Sequence, residues 1–111
     1  MTPELRDFAI REIGCIACLL DGRGYVPCEK HHLLTTGLHG NGRRRGEQAT
    51  VGLCSYHHRG VGAPVDYLGP SLAREAREFR ARYGSDDALL AYQDRLIGEW
   101  VSNTVGVIAC G

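Results

Sequence analysis

The hydrophobic positions follow a helical period near the start of the chain. Leu5, Phe8 and Ala9 recur at the spacing of one helix face. Thr2-Pro3-Glu4 precedes them with an N-cap residue, a proline at the first helical position and an acid in the first turn. We therefore predict a short helix with one apolar face that ends at Gly14.

The last third of the chain shows the same period over two longer stretches. Pro70-Ser71 opens the first of these predicted helices, and Gly84 follows its last residue. Ser85 or Asp86 caps the second. The apolar stripes are Leu72, Ala76, Phe79 and Tyr83 on the first helix, and Leu89, Gln93, Leu96, Ile97 and Trp100 on the second. We interpret both helices as packing elements, and we assign no structure to residues 102–111.

The middle of the chain has an extended pattern instead. Tyr25 to Leu34 predicts one or two strands broken by Pro27, and Thr50 to Leu53 predicts another strand. Ser55 to His58 is a short helix, with Ser55 as its expected cap. Between the strands, Thr36 to Gly46 contains four glycines and three consecutive arginines, which is typical of an exposed loop. The pattern indicates one α+β domain over residues 1–111, with a core over 13–62, a helical part over 70–101 and a tail over 102–111.

Charge is distributed unevenly along this chain of 111 residues. Its net charge is zero, which argues against a general nucleic-acid binder. From Arg23 to Arg59, however, six basic side chains face two acidic ones, a local net charge of +4. Twelve of the thirteen basic residues are arginines, whose planar fork suits phosphate. The histidine-rich middle of the chain is therefore its basic part.

Compartment bears on the role of the five cysteines. The first residues show no signal peptide, and no apolar run approaches the roughly 18 residues that a membrane span needs. We expect a cytoplasmic protein without membrane contact. Because thiols stay reduced there, the cysteines are expected to bind metal rather than form disulfides.

Two short cysteine motifs predict a structural zinc ion. Cys15 and Cys18 are separated by two residues, as are Cys54 and His57. Tetrahedral zinc accepts such paired ligands readily. Two alternatives remain at this point. Cys15 and Cys18 can be a redox dithiol, and Cys28 can replace one of the four ligands.

Three further histidines suggest a second site. If His57 binds zinc, then His58 is available for another ion, which His31 can bind from the other side. His32 then remains as a general base, since an unperturbed imidazole has a pKa of about 6.5. Neighbouring residues on a strand point to opposite faces, so His31 and His32 can serve one site only at a bulge or a strand end. The alternative is a single zinc site with several histidines and no catalysis.

These motifs resemble a known group of nucleases. The chain contains CxxC, then His31-His32-Leu33 at the end of a strand, then a strand that leads into Cys54-x-x-His57-His58. This order of motifs is similar to that of the HNH nucleases with a ββα-metal fold. The string from Gly37 to Gly60, followed by Gly69-Pro70-Ser71 and Phe79-Arg80-x-x-Tyr83-Gly84, resembles the phage Ref proteins, RecA-dependent nucleases of that superfamily. The resemblance covers about residues 13–96.

The resemblance implies a role for each candidate residue. It implies a small zinc-braced ββα-metal (HNH) core flanked by one N-terminal and two C-terminal helices. The implied roles are structural zinc ligands for Cys15, Cys18, Cys54 and His57, ligands of a catalytic Mg²⁺, Mn²⁺ or Zn²⁺ ion for His31 and His58, and general base for His32. The middle asparagine of the superfamily has no counterpart here, and Thr50 is the expected substitute. Glu47 stands where a histidine is expected in Ref-like chains.

The function expected from these features is metal-dependent hydrolysis of DNA. Arg43, Arg44, Arg45 and Arg59 would contact phosphates, although the three loop arginines can equally be a solvated surface. The resemblance implies DNA and RecA-coated DNA as partners. Only fourteen residues precede Cys15, so we expect no counterpart of the basic N-terminal extension of Ref proteins. Two rival hypotheses are a zinc-braced DNA-binding module of the same fold without catalysis, and a thiol-disulfide protein.

Overall fold

A computed structural model describes residues 1–35, 43–44, 46, 48–62 and 69–110, without the side chains of 34, 35, 43, 44 and 105–110. In chain order the elements are α1 (Pro3–Ile13), α2 (Ile16–Leu20), β1 (Glu29–His32), β2 (Leu34–Thr35), β3 (Arg43–Arg44), β4 (Thr50–Leu53), α3 (Ser55–Arg59), α4 (Ala76–Tyr83) and α5 (Asp86–Cys110). The predicted α+β class is confirmed. Most of the predicted loop from Thr36 to Gly46 lies outside the described residues.

Two antiparallel strand pairs form the β-structure. β1 pairs with β4, so that His31 lies opposite Val51 and His32 lies opposite Thr50. β2 pairs with β3 through Leu34 and Thr35. β4 runs directly into α3. All four residues of β4 are buried, because helices α1, α2 and α5 pack against it.

Helix α1 begins as the sequence predicts, with the Thr2 hydroxyl accepting a hydrogen bond from the Leu5 backbone N–H. Its predicted apolar face is confirmed at Ala9 and wrong at Leu5 and Phe8. Leu5 and Phe8 are 44% and 53% exposed, whereas Arg6, Ala9 and Ile10 are buried. The buried face turns toward β4 and α5, because the Arg6 guanidinium finds hydrogen-bond acceptors on both elements.

The C-terminal helices differ from the prediction at their ends. α4 begins at Ala76 rather than at Pro70. The preceding segment forms turns instead, because the Leu72 N–H donates to the His57 carbonyl and holds it against α3. α5 continues to Cys110 and thus includes nearly all of the segment left unassigned above. No helix in the described ranges has an apolar stretch long enough to cross a membrane.

Gly52 in β4 allows α1 to approach the sheet. A Cβ atom at Gly52 would lie 2.7 Å from Cys28 Sγ and 2.8 Å from Ile10 Cγ2. Both distances are far shorter than a van der Waals contact, so a side chain here would force the helix and the sheet apart. Ile10 and Cys28 belong to the small core cluster that joins α1 to α5.

We expect Gly52→Ala to lower the free energy of unfolding by about 1–3 kcal/mol, the usual cost of overpacking a core. Gly98→Ala on α5 is the matched control, since a Cβ there meets nothing within 4 Å. Alanine is the better helix former, so the control should stabilise by about 0.5–1 kcal/mol. Urea unfolding of the two variants measures both values. Equal stabilities for Gly52→Ala and the wild type would contradict this packing.

Candidate metal centre and histidine pair

The four predicted zinc ligands converge in the structure. Cys15, Cys18, Cys54 and His57 are all buried, and their ligand atoms lie within 4.8 Å of one another. His57 Nδ1 is 3.5 Å from Cys15 Sγ, 3.5 Å from Cys18 Sγ and 3.3 Å from Cys54 Sγ. Zinc–ligand bonds of about 2.3 Å to sulfur and 2.0–2.1 Å to nitrogen place tetrahedral neighbours roughly 3.5 Å apart. The cluster therefore fits a zinc ion.

The same local structure presents both ligand pairs. Cys15 is the N-cap of α2, and its Sγ accepts a hydrogen bond from the Cys18 backbone N–H at 3.4 Å. Cys54 is the N-cap of α3, and its Sγ accepts from the His57 N–H at the same distance. Cys54 thus occupies the cap position that the sequence analysis gave to Ser55. A cap and the residue three positions later face each other across the first helical turn, which explains the spacing of both motifs.

The cysteine thiols must lose protons to bind metal, so metal binding is stronger at higher pH. The hydrogen bond from Cys15, followed by the contact with His57, lowers the pKa of the Cys54 thiol to about 3. The same hydrogen bond and burial raise the pKa of Cys15, and burial raises that of Cys18 to about 11. Cys54 is therefore the most readily ionised of the three thiols. A zinc ion must displace the protons of Cys15 and Cys18.

A chain of hydrogen bonds supports His57 from behind. Tyr83 Oη lies 3.2 Å from His57 Nε2 and donates to Asp21 Oδ2 at 2.7 Å. Burial and the hydrogen bond to Asp21 raise the pKa of Tyr83, so its hydroxyl keeps its proton and donates it to the carboxylate. Its oxygen then accepts the Nε2 proton of His57, which leaves the Nδ1 lone pair for metal. Arg82 Nη2 donates to the other carboxylate oxygen of Asp21, Oδ1, at 3.1 Å.

No motif in the sequence indicates this support. The sequence predicts a turn at Asp21 and only a packing role for Tyr83. The one available signal was that Tyr83 stands on the apolar stripe of α4, where a buried hydroxyl needs a hydrogen-bond partner. Cys28, the alternative ligand, lies elsewhere: its Sγ donates to the Ile10 carbonyl at 3.4 Å, and burial raises its pKa to about 11.

His31 and His58 form a second cluster at the surface. His31 Nδ1 lies 3.0 Å from His58 Nε2. The other nitrogen of His58, Nδ1, lies 2.8 Å from Glu29 Oε1. Arg59 donates to the same carboxylate, from Nε to Oε1 at 2.6 Å and from Nη2 to Oε2 at 3.1 Å. The two histidines and Glu29 are partly buried, and Arg59 is exposed.

The contacts of Glu29 define what this pair can bind. The contact with Arg59 lowers the pKa of Glu29, so the carboxylate is charged and accepts the Nδ1 proton of His58. Burial, and then the nearby His58, lower the pKa of His31 to about 4, so the His31 ring can offer a lone pair at neutral pH. Two nitrogens 3.0 Å apart match neighbouring ligands at about 2.1 Å from one octahedral ion. Glu29 shares a strand face with His31, because the two residues are two positions apart.

A family model described as recombination enhancement, RecA-dependent nuclease, matches residues 2–98. The chain belongs to this family. The match begins before α1 and ends within α5, so it includes the metal centre and the histidine pair. No curated protein and no solved structure matches the chain.

The structure also places some of the other residues to which the sequence assigned a role in this member of the family. His32 is the last residue of β1, so the two histidines occupy a strand end. Thr50 is fully buried opposite His32, and its hydroxyl accepts a hydrogen bond from Arg6. Arg59 is bound to Glu29. Arg43 and Arg44 form β3, but their side chains, like Arg45 and Glu47, lie outside what the structure describes.

We expect Tyr83→Phe to weaken zinc binding about 10–100-fold, because His57 loses the acceptor that orients its ring. Competition with a chromophoric chelator measures the affinity. Tyr92→Phe is the matched control, since it removes the same hydroxyl from α5 and should leave the affinity unchanged. Equal zinc affinities for the two variants would show that the hydrogen-bond chain through Tyr83 does not support the ligand.

Zinc affinity should rise with pH through the neutral range, because the protons of Cys15 and Cys18 must leave when metal binds. The number of protons released is measured by titrating zinc into the apoprotein by calorimetry in buffers of different ionisation enthalpy. We expect about two protons per zinc. Binding without proton release would mean that the thiols are already ionised, contrary to the pKa directions above.

Proposed function

We propose that this family member is a metal-dependent DNA endonuclease of the HNH type, braced by a structural zinc ion. The observation that carries this proposal is the 3.0 Å approach of His31 Nδ1 to His58 Nε2, with Glu29 fixing the tautomer of His58. The succession β1, β4 and α3 supports it, because two antiparallel strands followed by a helix are the ββα arrangement that the sequence predicts.

Structural zinc would position the catalytic residues. Cys15, Cys18, Cys54 and His57 would hold the ion and thereby join the first turns of α2 and α3. His58 follows His57 directly, so fixing one ring in the core fixes the backbone that carries the other. The His58 ring then lies against β1, where it meets His31 and Glu29. Zinc in this position acts on geometry and takes no part in the hydrolysis.

Each group near the pair has one role in the reaction. His31 and His58 would hold a Mg²⁺, Mn²⁺ or Zn²⁺ ion, which supplies positive charge beside the phosphoryl oxygens. His32 would take a proton from the water that attacks phosphorus. Arg59 would contact a neighbouring phosphate, exchanging its contact with Glu29 for the DNA. Arg43, Arg44 and Arg45 would follow the DNA backbone farther away.

DNA is the proposed substrate, and the family description names RecA dependence. We therefore propose RecA-coated DNA as a partner of this site. The second candidate function is a zinc-braced DNA-binding module with lost catalysis. One observation favours it: Thr50, the expected substitute for the missing asparagine, is buried and its hydroxyl already accepts a hydrogen bond from Arg6.

The proposal is tested by measuring cleavage of plasmid and single-stranded DNA in the presence of Mg²⁺ or Mn²⁺. Each DNA is used with and without RecA filaments. We expect metal-dependent cleavage by the wild type. His32→Ala should lower the rate about 10²–10⁴-fold, the usual contribution of a positioned base, and should leave zinc content unchanged. His58→Ala should abolish binding of Mn²⁺, followed by electron paramagnetic resonance, and should also retain zinc.

His39→Ala, outside both ligand motifs in the sequence, is the control for histidine loss. DNA binding without cleavage by the wild type in every substrate and metal would favour the binding module. Loss of zinc or of folding in His32→Ala would make His32 a ligand and would contradict its assignment as the base.

A further inference from the structure

Arg6 is a charged residue held inside the protein. Its side chain is only 5% exposed, although it lies on the N-terminal helix α1. Nε donates to Thr50 Oγ1 at 3.0 Å, and Nη2 donates to the Thr50 carbonyl at 2.7 Å. Nη1 donates to Asp94 Oδ1 on α5 at 2.8 Å. One guanidinium therefore joins α1, β4 and α5.

The strand position that Arg6 holds lies directly opposite His32. The next hydrogen bond runs from the Leu33 N–H to the Ala49 carbonyl at 3.0 Å. His32 and Thr50 are thus a non-hydrogen-bonded pair, in which the backbones approach to about 4.5 Å and the carbonyls point away from the partner strand. The Thr50 carbonyl is turned from β1 for this reason, and Arg6 satisfies it.

Burying a charged side chain at this position costs free energy. Burying a guanidinium requires that its donors find partners, whereas an apolar side chain of the same length would pack without that cost. The guanidinium orients Thr50, because its planar fork binds the carbonyl and the hydroxyl of that residue together. Side chains of directly opposite residues share one face of a sheet. Arg6 therefore restrains the residue against which the backbone of His32 is held.

We propose that Arg6 is a positioning residue for His32. It holds the hydroxyl and the carbonyl of Thr50, the residue directly opposite His32 in the strand pair. This inference rests on the proposed role of His32 as the general base. It extends the active site to the N-terminal helix and gives α1 a function beyond covering the core.

Arg6→Lys is the central variant, because lysine keeps the charge beside Asp94 and loses the fork on Thr50. We expect kcat to fall on the order of 10²-fold, as a small misplacement of a catalytic group costs. KM for DNA, Mn²⁺ affinity and zinc content should not change, since none of their ligands contacts Arg6. Arg11→Lys, an exposed change on the same helix, is the matched control and should retain the full kcat.

Thr50→Val is the second variant, which keeps the branched shape and removes the hydroxyl acceptor. It should lower kcat in the same direction and keeps the test informative if Arg6→Lys does not fold. A melting temperature that falls while kcat per folded molecule stays constant in both variants would overturn the inference, because Arg6 would then act on stability alone.

NMR of the His32 ring separates this inference from the proposed function. In the zinc-loaded protein we expect Arg6→Lys to shift and broaden the His32 ring signals, while those of His31 and His58 stay in place. If the wild type shows no metal-dependent cleavage, the nuclease proposal fails, whereas the NMR result still shows whether Arg6 orders His32. Unchanged His32 signals in both variants would overturn the positioning role whatever the activity.

Discussion

One peptide bond connects the buried metal centre to the surface histidine pair. His57 lies in the core among three cysteine sulfurs, and His58 faces Glu29 and His31. Because the two residues are adjacent in the short helix α3, the direction of one ring determines the direction of the other. A helix of five residues is too short to be stable by itself. The Cys54 and His57 side chains of its first turn, which contact Cys15 and Cys18 at α2, therefore provide the stability that the histidine pair depends on.

Buried polar contacts extend this constraint through the rest of the molecule. Tyr83 and Asp21 connect the metal centre to α4, and Arg6 connects β4 to α1 and α5. In each case the polar atoms are paired, so burial carries no unsatisfied charge. The helices that enclose the core thus also orient its functional side chains. Such contacts suit a small domain, in which a hydrophobic core alone supplies limited stability.

The two residues within each pair of candidate metal ligands could be predicted, because their spacing follows from local geometry. In the first turn of a helix, the cap residue and the residue three positions later lie close to each other in any surroundings. The strand pair and the short helix could be predicted for the same reason, since their patterns repeat over a few residues. The apolar face of α1 and the start of α4 could not. Arg6 replaced the expected Leu5 and Phe8 on the buried face of α1, and the hydrogen bond between Leu72 and His57 kept the start of α4 in a turn.

The sequence by itself determined which residues can be ligands and that they come in two groups, because ligand chemistry and motif spacing are properties of a few neighbouring residues. Only the tertiary structure decided which groups support them. Glu29 meets His58 across 29 positions, Arg6 meets Thr50 across 44, and Tyr83 meets Asp21 across 62. Pairings over such separations depend on how helices and strands pack. No local pattern in the chain encodes that packing, so these contacts appear only when the fold has formed.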